Sequence, residues 1–489
     1  MRQETPTLYT DRGQPARKCR RPSNCTASPI SISSSAPTDF FSISDDDQSD
    51  SEYTRPKKRT RRVSPESVTS IASDTSSTPS HTSAPSTITI CGVDLRSSVA
   101  FDTFWRFAAE RKAIDDRRRA GESGPWTKDP ILQRYFFCNT YRILDKVTQY
   151  LVANVIEKGP KSIKEVVFRV ILFNLFTKIE TWELLERELG PLTWASYNRE
   201  NYERVLTAAF DDGMKLYTGA FIKPAPHFHY KQNYMNHLCL MEVLMENDFP
   251  SRLSKAAYAA DVFEYLVSFP SMGDFSAYQL MLGLSYTDLW IWHPNDFVVS
   301  GPGSISGLNK IFGADRMNLG RRTVDDFDAE VMRYMANTQA EHFQRLKLDF
   351  SGLGPKRLPM DLSDIEHTLC EVDKYCRVAH PRLKGKRTNI SRNFRPHNPK
   401  AQEPIVLPKA WNKLKRKTPR IRPERKLTVE KRYMIDFIAA HEDRPEDGRV
   451  YFVHWVGYPP SDATWEFEES LLQDAPQSVK EYLKSLKSQ

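Results

Sequence analysis

The stretch that decides the reading is KRYMIDFIAAHEDRPEDGRVYFVHWVGYPPSDATWEFEESL, Lys431 to Leu471. Val450 to Trp455 alternates apolar and polar residues as a half-buried strand does, Gly457-Tyr458-Pro459 turns the chain, and Thr464-Trp465-Glu466 resumes it. A short twisted sheet of this kind brings Tyr433, Trp455 and Tyr458 together. Three rings around one point attract a methylated ammonium, whose capped nitrogen has few donors left and whose methyl groups favour leaving water. The competing reading makes the same rings ordinary core residues of a small barrel. Beyond them, Asp474 stands ready to cap a helix with Pro476 in its first turn, and Val479, Tyr482, Leu483 and Leu486 follow at helical spacing.

This order of landmarks resembles a chromodomain. The resemblance implies that Tyr433, Trp455 and Tyr458 form a methyl-lysine cage, that Asp462 is its flanking acid, and that a methylated histone tail adds as a strand beside the one opening at Tyr433.

The whole chain has 489 residues, room for two or more domains, and a net charge of +8 that suits polyanionic partners. Its seven cysteines include no CxxC pair, which leaves out zinc ribbons and four-cysteine clusters and fits reduced thiols. His227 and His229 stand without further ligands, so the sequence yields no metal set and no cofactor motif. No apolar run reaches membrane-spanning length, and the N-terminus lacks the apolar core of a secretory signal. The expectation is a soluble protein without a membrane partner.

Residues 1–90 are rich in Ser, Thr and Pro and poor in large apolar residues, which predicts a disordered arm. The cluster Pro56-Lys57-Lys58-Arg59-Thr60-Arg61-Arg62 reads as a nuclear import signal, with a loose nucleic-acid contact or a plain solvated charge run as the alternatives.

From 91 to 380 aromatic and aliphatic residues recur at helical spacing. Asp129 to Ile156 and Ser162 to Leu189 each read as one long helix, the second opened by a Ser162/Glu165 capping box, stopped by Gly190, and apolar enough to run through the domain centre. Ala256 to Val267 and Phe275 to Leu284 read as helices joined by Phe269-Pro270-Ser271-Met272-Gly273, a turn that resembles the helix-hairpin-helix of DNA glycosylases; the resemblance implies a DNA-phosphate clamp, and a plain helix corner is the alternative. Asn139, Arg142 and Asp145, three residues apart, predict one polar strip, either a structural ion pair or a DNA-reading surface. Glu371 and Lys374 predict either a surface pair or an active-site pair.

Several motifs of this region, Asn139-x-Tyr141-Arg142-x-x-Asp145, Phe275-Ser276-Ala277-Tyr278-Gln279, Asp296-Phe297-Val298-Val299-x-Gly301-Pro302-Gly303 and Cys370-Glu371-x-Asp373-Lys374-Tyr375, are together similar to the helical domain of hydroxymethyl-deoxyuridine DNA kinases and the related alpha-glutamyl/putrescinyl thymine pyrophosphorylases. The resemblance implies a DNA glycosylase-like fold that holds or acts on a modified pyrimidine in DNA. On that basis Asp296, Glu371 and Lys374 are the candidate catalytic residues, and Asn139, Arg142, Asp145, Gly301 and Gly303 the candidate nucleic-acid contacts. No Gly-Lys-Ser or Gly-Lys-Thr follows Gly301-Pro302-Gly303, so this turn is not a nucleoside-triphosphate loop.

The expected architecture is multidomain: the arm at 1–90, a mostly α-helical central domain at 91–380, a basic proline-containing linker at 381–427, and at 428–489 a small α+β chromodomain with a three-stranded sheet and a C-terminal helix. Two functions follow. One is a nuclear chromatin reader that binds a methylated histone tail and touches DNA; the other adds an enzyme acting on a modified thymine or pyrimidine base.

Overall fold

The computed structural model describes residues 17–18, 87–219, 223–290, 292–383, 385, 387–390, 393–394, 404–412, 419–422, 432–433, 435–445 and 448–486. The cluster at 56–62, nearly all of the expected disordered arm and much of the basic linker lie outside the described residues.

A hairpin, β1 (Thr87–Ile90) and β2 (Val93–Arg96), opens the helical part. Its Ile88, Ile90, Val93 and Leu95 are buried in the helical core, which therefore begins inside the stretch assigned to the arm. Ser98 caps α1 (Val99–Arg119) by accepting from the Ala100 N–H. Asp129 to Ile156 is not one helix. It breaks into Pro130–Arg134, a 3₁₀ turn at Arg142–Leu144, Lys146–Tyr150 and a π turn at Leu151–Ile156. Ser162 to Leu189 is likewise two helices, α2 (Ile163–Phe176) and α3 (Ile179–Leu189), separated at Thr177, which adopts φ 50°. The capping box does not form: Glu165 instead accepts from the N–H groups of Trp194 and Ala195, 2.7 and 3.0 Å away. The expectation of a central helix holds for α2, buried along nearly its whole length against α4 (Asn233–Glu246).

The expected hairpin is present between α5 (Ala259–Val267) and α6 (Asp274–Ser285), and α6 also packs on α2. Next come α7 (Pro302–Phe312), α8 (Phe327–Arg345) and α9 (Leu362–Ala379). Helices α7 and α9 cross at glycines: a Cβ on Gly303 would meet Cys370 Sγ at 2.8 Å, and one on Gly307 would meet the Leu369 carbonyl oxygen at 2.6 Å. Among the described residues no helix is long and apolar enough to cross a membrane.

The C-terminal unit has its own small core. Strands β3 (Ile435–Arg444), β4 (Gly448–Trp455) and β5 (Thr464–Phe467) form an antiparallel sheet in that order, with Ile435 opposite Trp455 and Val453 opposite Thr464. Helix α10 (Pro476–Leu486) covers it through Val479, Tyr482 and Leu483, and the Tyr482 hydroxyl meets His441 Nδ1 at 2.9 Å. Asp474 ends the short preceding helix Glu468–Asp474, so α10 opens directly at Pro476. The Gly457 carbonyl accepts from the His227 N–H at 2.9 Å, and His229 meets Asp436, so this unit rests on the helical one.

The α7–α9 crossing yields a prediction. Alanine at Gly307 gains about 1 kcal/mol of helix propensity, but its Cβ presses on backbone that cannot rotate away, and such overpacking costs about 1–3 kcal/mol. Gly307→Ala is expected to lower the melting temperature by several degrees in thermal denaturation, and an unchanged or raised value would show the crossing to be loose.

Candidate functional site

The polar residues of 138–145 are pulled off the helical path by α9. Asn139 donates from its backbone N–H and from Nδ2 to Asp145 Oδ1, at 3.0 and 3.1 Å, and from Nδ2 to the Leu144 carbonyl at 3.0 Å. The Arg142 N–H donates to Asp364 Oδ1 at 2.9 Å, while its guanidinium bonds Gln279 of α6. Asn139, Arg142 and Asp145 are thus brought together, but by a folded turn and not by one helix face. Glu371 joins the same place: its Oε2 accepts from the Cys138 N–H at 3.1 Å and its Oε1 from Lys374 Nζ at 2.7 Å. Glu371 is buried, with its side chain 3% exposed, while the Lys374 side chain is 38% exposed, so the pair joins a buried carboxylate to a partly solvated ammonium.

Electrostatics follow the burial. Burial pushes the Glu371 carboxyl up, but Lys374, His367 and the Cys138 N–H outweigh it and hold the group below its usual range. Asp145 behaves likewise through His367 and the Asn139 N–H. The Asp364 carboxyl goes the other way, raised well above the carboxylate range by burial and by Asp361. Burial, then Glu371 and Asp145, raise the Cys138 thiol. Beside this cluster runs a cleft lined by Tyr286, Trp292, Trp411, Asp361 and Asp364.

The remaining sequence candidates lie elsewhere. The Gly301 N–H donates to Glu366 Oε1 at 3.2 Å, and Gly303 lies against Cys370, so both serve the close approach of α7 to α9. Asp296 is apart from the cluster: its carboxylate accepts from the His293 N–H at 2.9 Å and from the Arg420 N–H of the linker. It lines a separate pocket with Arg333, Arg420 and Arg422. Pro270 of the α5–α6 hairpin is the residue a Cβ on Gly457 would strike, at 2.4 Å. That hairpin packs on the C-terminal unit. Residues to which the sequence reading gave no role include Gln279 and Asp364, which hold Arg142, and Cys138 and His367, which lie more than two hundred residues apart in the chain with their ligand atoms within 4.8 Å of each other and of Asp145.

In the C-terminal unit the Tyr433 ring lies 5.8 Å from Trp455 and 5.3 Å from Tyr458, centroid to centroid, each pair tilted. Trp455 Nε1 donates to Thr464 Oγ1 at 3.0 Å, and the Thr464 hydroxyl donates to buried Glu466 at 2.7 Å. That relay fixes the indole plane, a role for Thr464 and Glu466 not read from the sequence. Asp462 sits exposed in a 3₁₀ turn after Pro459. The Tyr458 hydroxyl is pushed up to about 12 by burial, with Tyr433 and Asp462 adding to it.

Burial also acts on Lys223, whose Nζ donates to the Asn174 carbonyl and to Thr177 Oγ1; desolvation and the nearby Arg142 charge bring it down to about 7. Between that value and the ordinary lysine value the unfolded chain binds more protons than the folded one, so stability from this group rises with pH across the window. Wild type is expected to gain melting temperature from about pH 7 to pH 9 relative to Lys223→Met. Parallel profiles for the two proteins would show Lys223 to be solvated.

Comparison with known proteins agrees with this architecture. The model of the 5-hmdU DNA kinase, helical domain, matches residues 98–385, and that of the Chromo (chromatin organisation modifier) domain matches residues 433–485. A 5-hmdU DNA kinase of Bacillus phage SP10 is 26% identical over 330 residues, 60% of this chain and 48% of the relative, so the chain spans about half the length of the curated protein it matches. No solved structure matches this chain. These matches narrow the broader glycosylase-like expectation: the chain belongs to the family of the 5-hmdU DNA kinase helical domain, and it carries a chromodomain at its C-terminal end.

Proposed function

We propose that this is a nuclear chromatin protein that binds a methylated lysine of a histone tail through Tyr433, Trp455 and Tyr458 and contacts DNA through its helical domain. The reading is supported by the Chromo match over 433–485 and by the meeting of the three rings in one cluster, Tyr433 at 5.8 Å from Trp455 and 5.3 Å from Tyr458; this is ring-contact spacing, and the rings must spread to admit a methylammonium. Asp462 adds negative potential beside a cation. The edge next to Tyr433 supports strand addition, because Arg17–Lys18 of the chain's own arm pairs there antiparallel, Arg17 opposite Tyr433. The net charge of +8 supports a polyanionic partner, and tethering a tail-binding module to a DNA-contacting one raises the effective concentration of each site for the other.

A second reading, in which the helical domain holds or alters a modified pyrimidine, is favoured by the cleft at Tyr286, Trp292 and Trp411. Its rings would offer stacking faces to a base once the cleft opens, and Asp364, whose carboxyl accepts from the N–H groups of Arg142 and Asp361, braces its wall. Glu371 and Lys374 do not line that cleft, and Asp296 belongs to the separate pocket with Arg333, Arg420 and Arg422, so this reading is one of base binding.

Fluorescence anisotropy with trimethyllysine histone-tail peptides tests the first reading. Trp455→Ala is expected to weaken the methylated peptide by about tenfold or more and leave the unmodified peptide unchanged. Equal binding of both peptides by wild type would remove the cage. For the second reading, gel-shift titration of duplexes containing 5-hydroxymethyluracil against thymine should give preferential binding that Trp292→Ala abolishes. Equal affinity for both duplexes would reduce the helical domain to non-specific contact.

A further inference from the structure

Cys138, Asp145 and His367 form a compact donor set beside the Glu371–Lys374 pair. One sulfur, one carboxylate oxygen and one imidazole nitrogen lie mutually within 4.8 Å. His367 is 4% exposed, and its Nε2 has no hydrogen-bond partner. That nitrogen lies 3.5 Å from Asp145 Oδ2. The separation is long for a charge-assisted hydrogen bond, which closes to about 2.7–2.9 Å. It is the spacing of two ligands on one ion: bonds of about 2.0–2.3 Å at tetrahedral angles hold ligand atoms about 3.3–3.8 Å apart.

The surroundings are those of a supported metal site. Asp145 spends Oδ1 on the two Asn139 donors and keeps Oδ2 toward His367. Glu371 anchors the backbone of Cys138, and Lys374 balances the Glu371 charge. Such braces fix the donors before an ion arrives and are what first ligands need to bind tightly. Asn139 Oδ1, on the side chain that braces Asp145, is a further buried acceptor without a partner.

We propose that Cys138, Asp145 and His367 bind a divalent transition metal, Zn²⁺ by the mixed sulfur, nitrogen and oxygen character of the donors. A thiolate and an imidazole disfavour Mg²⁺ and Ca²⁺, which take oxygen. A thiolate, a carboxylate and a neutral imidazole sum to two negative charges, so a dication makes the buried set neutral. Three protein ligands leave one tetrahedral position for water or for a ligand atom, the arrangement of catalytic and not of closed structural sites. The proposal is independent of the chromodomain reading and adds to the helical domain a centre that neither family match describes.

The full chain, stripped with chelator and dialysed against Co²⁺, tests it. The expected result is about one Co²⁺ per chain, with the visible bands of tetrahedral Co²⁺ and a thiolate charge-transfer band in the near ultraviolet. Cys138→Ser should abolish the charge-transfer band, and Asp145→Asn or His367→Ala should weaken affinity by about tenfold or more. Cys370→Ser and His229→Ala should change neither. Circular dichroism reports whether each variant folds. Should Cys138→Ser fail to fold, X-ray absorption of Zn²⁺-loaded wild type decides, with one sulfur and otherwise nitrogen and oxygen neighbours expected. Wild type that holds no stoichiometric Co²⁺ or Zn²⁺, a charge-transfer band that survives in folded Cys138→Ser, or a shell with no sulfur or several would each overturn the site.

Discussion

The helix from Leu362 to Ala379 buries polar groups along its length, and the fold around it is the set of partners those groups require. Asp364, Glu366, His367, Thr368, Glu371 and Asp373 are all buried. An unsatisfied buried acceptor costs a few kcal/mol, and an unpaired buried charge more. Asp364 therefore takes the Arg142 N–H, Glu366 takes the Gly301 N–H and the Ser304 hydroxyl, and Glu371 takes the Cys138 N–H and Lys374. Asp373 is met by Lys310, Ser306 and Arg377, whose combined pull holds its carboxyl below the usual range against burial. Segments 138–145 and 301–310 are fixed in space by this one helix. The glycines of α7 follow from the same demand, because only backbone without Cβ atoms comes near enough to Leu369 and Cys370.

That constraint also explains what could be read from the chain and what could not. The sheet and closing helix of the C-terminal unit were legible because their signals are local: alternation in Val450–Trp455, a glycine turn at φ +80°, and helical spacing after Pro476. The helices α2, α5 and α6 were legible for the same reason, though α2 stops early where Thr177 turns left-handed. The long helix expected from Asp129 to Ile156 failed because its apolar stripe was real but its polar residues had better partners elsewhere. Asn139 and Asp145 satisfy each other only when the backbone folds back between them, and the Arg142 N–H reaches α9 only outside a helix. Glu165 similarly left its own helix start for the backbone of Trp194 and Ala195. Tertiary demand outweighed local capping, which is worth about 1 kcal/mol.

The candidate site divides along the same line. Asn139, Arg142, Asp145, Glu371 and Lys374 converge although the reason given for the first three, a shared helix face, was mistaken; the motifs carried them together. Asp296 was selected through the family resemblance, and a motif does not encode where a linker returns. Arg420 covers it and Arg422 pairs with Asp261 and Glu264 nearby, so that surface belongs to the linker. Cys138 and His367 carried no spacing signal, because only the fold of α9 against 138–145 makes them neighbours.

The contact between the helical domain and the chromodomain fixes the turn that carries one of the three rings. Gly457 is doubly constrained, by its positive φ and by Pro270, which leaves no room for a Cβ. Its neighbour in sequence is Tyr458, a ring of the three-ring cluster. The turn that carries this ring is thus held by the His227 N–H and by the α5–α6 hairpin as well as by its own sheet. The hairpin, read from the sequence as either a DNA-phosphate clamp or a plain helix corner, packs through Pro270 against the aromatic turn. Any ligand that spreads the rings must move Tyr458 against that hairpin or leave it in place and move Tyr433, which stands outside the three-stranded sheet, on the edge where Arg17–Lys18 pairs. The second motion disturbs less packing, so the strand at Tyr433 is the adjustable side of the cluster and the Trp455–Tyr458 corner its fixed side.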